Sequence, residues 1–336
     1  IHMEQLKIFS MFDGVGGFTV GLNNSNEKLF KTTYSNQFEP SRKSQDAFEV
    51  GVYNYPDIEH INTDVEKIDI SKFEEMRDKG VNMIVGGFPC QDYSVARSKK
   101  LEMGIEGKKG VLFWEIIRAV QTIQPKYLIL ENVDRLLKSP SSQRGRDFAI
   151  MLSAFNALNY SVEWRVINAA DYGRAQRRRR VFFYVYHNST PFAKKIDEKY
   201  EPTTLDLITD EHLYDEYIFK DGLFSRQFPI KQTPNKNRSA FYQLSNDIVN
   251  VSDNFTGTVW NTGIMRYGRY FTIDTEPIKE KAITLGEILQ KESEVPEEFY
   301  ITDPDKIEKF NYLRGSKKIE RTTPDGHKWI YSEGGM

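Results

Sequence analysis

The sequence predicts an α/β fold with a doubly wound, mostly parallel sheet, followed by a loop-rich region. Two observations predict this fold. Compact apolar runs of the kind found in buried parallel strands recur through the first half of the chain. Segments with helical patterning separate these runs, and strands that alternate with helices imply right-handed crossovers and a sheet covered on both faces.

Each element of the first half has its own signal. The predicted strands, in chain order, are residues 7–12, 32–35, 81–85, 127–130 and 181–186. The sequence predicts four helices: one that opens with residues 18–22, and others over residues 41–50, 111–123 and 148–158. The helix over 111–123 is apolar on one face, and Gln124-Pro125 predicts its end.

The pattern changes after about Pro191, which predicts a first region over residues 4–190 and a second over 191–336. From residue 200 onward, short strand-like pieces such as 269–273 lie between polar loops that contain Gly, Asn and Pro. The sequence has no internal repeat and no low-complexity tract.

Composition narrows the classes of function. The 336 residues are 39% hydrophobic and 28% charged with a formal net charge of −2, which is typical of a globular protein with a large core. No apolar stretch is long enough to span a bilayer, so we expect no membrane partner. One Cys and five His exclude a cysteine-rich zinc framework, and we predict no metal site. A single thiol suits a reducing compartment, so we expect a cytoplasmic location.

Net charge alone does not indicate a nucleic-acid partner, but local charge does. Basic residues form three clusters: Arg97, Lys99, Lys100, Lys108 and Lys109; Arg174 with Arg177–Arg180; and Arg314, Lys317, Lys318 and Arg321. Any one cluster is most often a solvated surface. Several of them beside one active-site edge would provide a path for phosphates.

The only cysteine, Cys90, follows the predicted strand 81–85 in the run Gly86-Gly87-Phe88-Pro89-Cys90-Gln91. A free cysteine is most often a small buried hydrophobe. Here a glycine pair and a proline precede the thiol and polar residues follow it. A rigid turn at the carboxyl end of a buried strand is where open α/β sheets place their chemistry, so we predict a nucleophile.

Three further segments fall on the same sheet edge. Residues 12–17 form a glycine-rich turn between strand and helix, which by itself could serve several nucleotide-like ligands. Glu131 directly follows the strand 127–130. Residues 176–180 run into the strand from Val181, and alternation in extended backbone predicts that Arg178 and Arg180 point together, opposite Arg177 and Arg179.

Taken together, these segments resemble the cytosine-C5 DNA methyltransferase family of bacterial or phage restriction-modification systems. The resemblance rests on Phe12–Gly17, Pro89-Cys90-Gln91, Glu131-Asn132-Val133 and Gln176–Arg180, which match four family motifs in order and spacing. It is strong over about residues 8–186 and looser beyond.

The resemblance implies an enzyme that transfers a methyl group from S-adenosyl-L-methionine to C5 of a flipped cytosine in a specific duplex DNA site, leaving S-adenosyl-L-homocysteine. It assigns catalysis to Cys90, Glu131, Arg178 and Arg180. It assigns the cofactor pocket to Phe12, Asp13, Gly14, Val15, Gly16, Gly17, Gln37, Phe38, Asp64, Val65, Phe88 and Pro89. It assigns DNA contacts to Gln91, Ser94, Arg97, Lys99 and Lys100. Residues 191–336 become a partial target-recognition region.

Two departures from the family pattern matter. Where relatives carry an acidic residue for the cofactor ribose, this chain has Gln37, so either Gln37 takes that role or Glu39 reaches in. The 336 residues do not include the family's last two motifs. We expect an active enzyme to need them, either as a continuation of the chain or as a second polypeptide.

Other interpretations share parts of this pattern. The RNA branch of the family, which methylates cytosine in tRNA, has the same core residues, but the long region after Pro191 favours DNA. A non-catalytic DNA-binding relative is disfavoured by the intact Cys90, Glu131 and Arg178. An NAD-dependent enzyme would explain the glycine turn and leave the Pro-Cys-Gln loop unexplained. Double-stranded DNA is the expected partner, with a cognate restriction endonuclease as a further expected partner.

Overall fold

The computed structural model describes residues 4–89, 112–200, 216–231, 238–315 and 317–333. The chain divides into two compact units, residues 1–283 and 284–336. None of the helices in these described ranges is long and apolar enough to cross a membrane.

The first unit is built on a ten-stranded sheet with the order β3-β2-β1-β4-β5-β7-β6-β9-β10-β8. Its strands are β1 (Leu6–Met11), β2 (Phe30–Asn36), β3 (Glu59–Ile61), β4 (Met83–Gly87), β5 (Tyr127–Val133), β6 (Tyr160–Asn168), β7 (Arg179–His187), β8 (Ser239–Gln243), β9 (Thr262–Arg266) and β10 (Arg269–Ile273). The strands from β3 to β5 pair in parallel, and every pair from β5–β7 to β10–β8 is antiparallel. The predicted α/β fold class with a large sheet is confirmed. Among the described strands the sheet is mixed, because four strand pairs are parallel and five are antiparallel.

Helices of the first unit connect and flank these strands. They are α1 (Gly17–Asn26), α2 (Asp46–Asn54), α3 (Ile70–Asp78), α4 (Leu112–Ile123), α5 (Arg146–Ala157), α6 (Pro191–Tyr200), α7 (Leu223–Gln227) and α8 (Ile248–Asn254). The predicted amphipathic helix is α4, which buries Phe113, Ile116, Val120 and Ile123 at helical spacing. These four residues belong to the same core cluster as Phe148, Phe183 and Trp164, which are almost fully buried.

The second unit consists of small elements. It contains α9 (Leu285–Ile288), α10 (Pro304–Arg314) and a hairpin of β11 (Lys317–Thr322) with β12 (Lys328–Glu333). The side chain of Asp303 caps α10 by accepting from the amides of Asp305 and Lys306, and Pro304 occupies the first turn.

The direction of one strand differs from the sequence prediction. Residues 181–186 were expected among the parallel strands, but β7 runs antiparallel to both β5 and β6. The cause is the short connection from β6 to β7 over residues 169–178, which contains one short 3₁₀ turn. A parallel return needs a crossover of about a dozen residues or more, usually through a helix. The reversal places the beginning of β7 at the sheet edge where β5 ends.

Residues beyond 190 contribute to the same sheet. Strands β8, β9 and β10 extend it past β6, and the boundary between compact units lies after Ile283. That β8, β9 and β10 belong to this sheet describes how the chain packs and does not show which residues contact DNA. The division into a catalytic region over 4–190 and a recognition region over 191–336 therefore stays a prediction.

Candidate active site

The central feature of the site is a carboxylate between two guanidinium groups. Oε1 of Glu131, in β5, lies 2.9 Å from Nε of Arg180 and 3.5 Å from Nη2 of Arg178. Arg179 points the other way, and its Nε donates to Asp134 at 3.0 Å. The predicted alternation along residues 178–180 is confirmed. The Glu131 side chain keeps 18% of its surface exposed, so the cluster is open to a ligand.

Close packing at the end of β4 fixes the position of Glu131. Gly87 pairs with Glu131 across β4 and β5, and a Cβ on Gly87 would lie 3.0 Å from Oε2 of Glu131. A larger residue at this position would push the carboxylate away from the arginines. Gly87 therefore allows the carboxylate to lie against the strand that leads to Cys90.

Asn132 ties the same two strands together on the other face. Its side chain is 2% exposed, and Nδ2 donates to the carbonyl of Phe88 at 3.0 Å. Phe88 lies two residues before Cys90, so this bond anchors the base of the predicted nucleophile loop. Cys90 itself, and the predicted DNA-binding residues Gln91, Ser94, Arg97, Lys99 and Lys100, lie outside the described residues.

The glycine-rich turn has an unusual backbone. Phe12, Gly14 and Gly16 all have positive φ, at 53°, 60° and 91°. A left-handed conformation at a residue with a side chain such as Phe12 is strained, and strain of this kind concentrates at functional sites. Helix α1 begins at Gly17 and has no side-chain cap, so its first N–H groups are available to a ligand. Val15, at the tip of the turn, is 55% exposed.

Asp13 secures this turn to the sheet. Its two carboxylate oxygens accept hydrogen bonds from the hydroxyls of Ser10 at 2.6 Å and Ser35 at 2.7 Å. Both oxygens of the Asp13 carboxylate are therefore engaged in hydrogen bonds within the protein. What the turn offers a ligand is mainly its backbone.

The loop after β2 lies against the turn. Oε1 of Gln37 accepts from the amide of Gly14 at 2.9 Å, and the carbonyl of Gln37 accepts from Nδ2 of Asn62 at 2.8 Å. Phe38 is 37% exposed beside it. Glu39 is turned away, and its carboxylate accepts from the hydroxyl of Ser41, which lowers the pKa of Glu39. Of the two ribose candidates, Gln37 is the one in contact with the glycine-rich turn.

The turn after β3 carries Asp64 and Val65, which the family resemblance assigns to the cofactor pocket. Oδ1 of Asp64 accepts from the amide of Glu66, which starts a short 3₁₀ turn, and Val65 is buried in the main core. Arg118 of α4 holds this turn from below, because its guanidinium donates to the carbonyls of Val65 at 2.9 Å and Ile68 at 2.7 Å. Asp64 therefore lies on a turn whose backbone is fixed by hydrogen bonds from Arg118.

Phe88 and Pro89 have different surroundings. The ring of Phe88 is 2% exposed and packs against Phe113 and Phe183 at centroid distances of 6.0 and 6.4 Å. Pro89 is exposed. The side chain of Phe88 belongs to the core, so the pocket wall predicted from these two residues would have to come from Pro89.

Two supporting residues were not assigned a role from the sequence. Asn132 was part of the Glu-Asn-Val segment, and its position at the end of an apolar strand was the available signal. Arg118 offered a weaker signal, a lone arginine within a strongly amphipathic helix. Both act by bonding backbone carbonyls of other segments, and a linear sequence does not show these partners.

Comparison with known proteins decides the family. The family model for C-5 cytosine-specific DNA methylases matches residues 6–320. The chain belongs to this family. Its enzyme class is accordingly DNA (cytosine-5-)-methyltransferase.

Two curated relatives agree with the family match. The chain is 52% identical over 334 residues to the Type II methyltransferase M.Sau3AI of Staphylococcus aureus, covering 99% of this chain and 76% of that protein. It is 33% identical over 187 residues to the Type II methyltransferase M.NlaIV of Neisseria lactamica, covering 54% of this chain and 41% of that protein. The solved structure of the S. pombe Dnmt2 methyltransferase aligns with 56% of this chain and 51% of its own at 15% identity, with a TM-score of 0.41.

Proposed function

We propose that this chain methylates C5 of a flipped cytosine in a specific duplex DNA site through a covalent bond between Cys90 and the base. The observation that supports this most directly is the Glu131 carboxylate held by Arg180 and Arg178 beside the end of β4. That strand leads into Pro89-Cys90, so the carboxylate and the thiol belong to adjacent strand ends on one edge.

The proposed chemistry suits these residue types. The Sγ thiolate of Cys90 bonds to C6 of cytosine, and the C5–C6 π electrons move toward C5 and N3. C5 then takes the methyl group as the sulfur–methyl bond of the donor breaks and S-adenosyl-L-homocysteine remains. Loss of the C5 proton to a base and cleavage of the S–C6 bond restore the aromatic ring and the thiolate. Positive charge from nearby arginines would favour the thiolate form of Cys90.

Glu131 has a distinct role in this scheme. A carboxyl group that hydrogen-bonds N3 and the exocyclic amine stabilises the charge that develops when the thiolate adds. The same contact distinguishes cytosine from thymine, which has a carbonyl in place of the amine. Arg178 and Arg180 orient the carboxyl group and can contact the nucleotide phosphate.

The loops after β1, β2 and β3 fit the methyl donor, S-adenosyl-L-methionine. When bound, this donor supplies an activated methyl group on a sulfonium. The turn over residues 12–17 would present its backbone and the start of α1 to the methionine part. We assign the ribose to Gln37, because it contacts Gly14, and the adenine amine to Asp64.

DNA is the proposed substrate. C5 and C6 are inaccessible inside a base stack, so a target cytosine must leave the helix to reach Cys90. Because the relatives are named Type II methyltransferases, we include in the proposal a restriction endonuclease that acts on the same site.

A trapping experiment tests the mechanism. Bisulfite sequencing of plasmid DNA treated with protein and S-adenosyl-L-methionine first gives the site. A duplex with 5-fluorocytosine at that position should form a complex that survives denaturation, because the C5 fluorine cannot leave. Cys90→Ser should abolish trapping and methylation, and the same duplex with ordinary cytosine is the control. A Cys90→Ser protein that methylates at the wild-type rate would exclude the mechanism, and methylation of tRNA alone would assign the RNA substrate.

A further inference from the structure

A polar cavity of about 140 Å³ lies where the ends of β6 and β7 meet two later segments of the first unit. Its walls include Arg165, Asn168, Asp171, Tyr172, Ile230 and Pro277. Ile230 and Pro277 pair across an isolated bridge, and Tyr172 packs edge-to-face on Phe228 with centroids 4.9 Å apart. The cavity is thus bounded by the sheet on one side and by chain from beyond residue 190 on the other.

Arg165 is the unusual wall residue. It is 2% exposed, and its one bond among the described residues is from Nη1 to the carbonyl of Phe228 at 2.8 Å. Its Nε is buried without a partner in this part of the chain. Glu163, two residues earlier on the same face of β6, interacts with Arg165 through its charge, but its oxygens accept hydrogen bonds from the hydroxyl of Tyr217 and the amides of Leu223 and Phe224. Buried polar groups are nearly always hydrogen-bonded, so the Nε–H donor of Arg165 requires an acceptor.

Three other charged or polar residues of the cavity wall already have hydrogen-bond or ion-pair partners within the protein. Asp171 lies 3.3 Å from Nζ of Lys279, and Arg179 is bonded to Asp134. Oδ1 of Asn168 accepts from the amide of Ala170.

Tyr172 leaves a hydroxyl for which the described residues supply no hydrogen bond. Burial raises the pKa of Tyr172, so it stays a neutral donor. The cavity therefore offers unused donors from Arg165 and Tyr172, and the group that suits them is an oxyanion.

We propose that this cavity binds one backbone phosphate of the substrate DNA, with Arg165 and Tyr172 as the donors. The inference rests on the proposed function for the identity of the ligand. Position supports it, because β6 and β7 pair Asn168 with Arg179 and Ile167 with Arg180, so the cavity lies one residue along β7 from the arginine that holds Glu131. A phosphate seated there would fix the register of the DNA next to the flipped nucleotide.

Three variants probe the cavity. Arg165→Gln removes the charge, and Tyr172→Phe removes one hydroxyl while keeping the ring against Phe228. Tyr184→Phe is the matched control, because Tyr184 is another buried tyrosine of the sheet that does not line the cavity. Binding of the target duplex is measured with S-adenosyl-L-homocysteine present, so the readout does not depend on methyl transfer.

The DNA is varied in parallel. Duplexes that carry one neutral methylphosphonate at each position near the target cytosine are compared with the unmodified duplex. We expect one position at which neutralisation weakens wild-type binding about tenfold. Arg165→Gln should bind unmodified DNA about tenfold more weakly, should be insensitive at that position, and should have a salt-dependence slope smaller by about 1. Tyr172→Phe should lose severalfold with an unchanged slope, and Tyr184→Phe should match wild type.

Several outcomes would overturn the inference. These are a flat methylphosphonate scan, equal sensitivity of wild type and Arg165→Gln at every position, or wild-type binding by Tyr172→Phe. If the methylphosphonate scan is flat and inorganic phosphate stabilises wild type but not Tyr172→Phe, the cavity binds a free anion. If neither the scan nor inorganic phosphate gives a response, the cavity holds water. If Arg165→Gln does not fold, the scan with Tyr172→Phe decides. If the methylphosphonate scan gives the expected result but the wild-type protein does not methylate DNA, the proposed function is wrong and the phosphate site stands.

Discussion

Glu131 and Glu163 lie on two strands of one sheet and have opposite surroundings. Glu131, at the end of the parallel half, keeps 18% of its side chain exposed and faces two guanidinium groups. Glu163, in the antiparallel half, is 3% exposed and accepts from the hydroxyl of Tyr217 and from the amides of Leu223 and Phe224. The first has room for a ligand, whereas the second is fully used in attaching the segment around α7 to β6.

From this contrast we infer that surroundings can suit one residue type to chemistry at one place and to architecture at another. A carboxylate at a strand end, close to cations and solvent, can exchange an internal partner for a substrate. A buried carboxylate whose oxygens already accept hydrogen bonds from buried neutral donors cannot do so without leaving those groups unpaired. The predictions below test this difference with equivalent substitutions at each place.

The largest expected effect is that of Glu131→Gln. The amide has nearly the same shape but stabilises developing charge poorly, so we expect the single-turnover rate of methyl transfer to fall on the order of 10²-fold or more. DNA binding and the free energy of unfolding should change little. Glu163→Gln is the control, and equal single-turnover rates for wild type and Glu131→Gln would place Glu131 among structural residues.

Glu163→Gln should show the opposite pattern. The amide group directs donors at donors, so the free energy of unfolding should fall by about 1–3 kcal/mol, with the single-turnover rate of the saturated complex nearly unchanged. Urea denaturation provides the measurement.

The pH dependence of this effect has a definite sign. Burial raises the pKa of Glu163 above its ordinary value of 4.5. The stability that Glu163 contributes is therefore complete below that ordinary value and declines as the pH rises through the folded-state pKa. The gap between wild type and Glu163→Gln should accordingly be widest in acid. A gap that widens with increasing pH would contradict the assigned cause.

A smaller effect is expected from Asp64→Ala. Loss of the carboxylate should weaken S-adenosyl-L-methionine binding severalfold, as measured by calorimetry, because the proposed acceptor for the adenine amine is removed. Asp69→Ala is a matched control, since the Asp69 side chain also caps a helical turn by accepting from the amide of Ser71. Each variant loses about 1 kcal/mol of capping energy. Equal losses of cofactor affinity would show that Asp64 acts only as a cap.

The smallest effect concerns Glu75, an ion-paired carboxylate away from both sites. Lys79, then Lys72 and the hydroxyl of Tyr34, lower the pKa of Glu75 to about 2. The stability from this group should be present above the ordinary value of 4.5 and disappear as the pH falls toward 2. Thermal melts of wild type and Glu75→Gln should therefore differ slightly at neutral pH and converge in acid. Because the pair is exposed, high salt should remove the difference, and a salt-independent gap would contradict this account.

Much of the parallel half could be predicted from the sequence. Apolar runs such as residues 81–85 and 127–130 predicted strands now seen as β4 and β5, and the predicted helix over 111–123 ends at Ile123, directly before Gln124-Pro125, as expected. These signals are local, because a buried strand must be apolar along its length. Strand β6 was not predicted, since Glu163 and Arg165 interrupt its apolar pattern. Both polar groups find partners only in segments more than 50 residues away.

The sequence by itself predicted which residues carry the proposed chemistry and placed them at strand ends, because motif spacing and strand patterning depend on neighbours along the chain. It could thus pair Arg178 with Arg180 and place Glu131 after an apolar strand. Only the tertiary structure decided that β7 reverses direction, that Gly87 leaves space for the Glu131 carboxylate, and that Arg165 is buried with unused donors. Each of these depends on distances between segments far apart in sequence, where packing and hydrogen-bond satisfaction set the geometry.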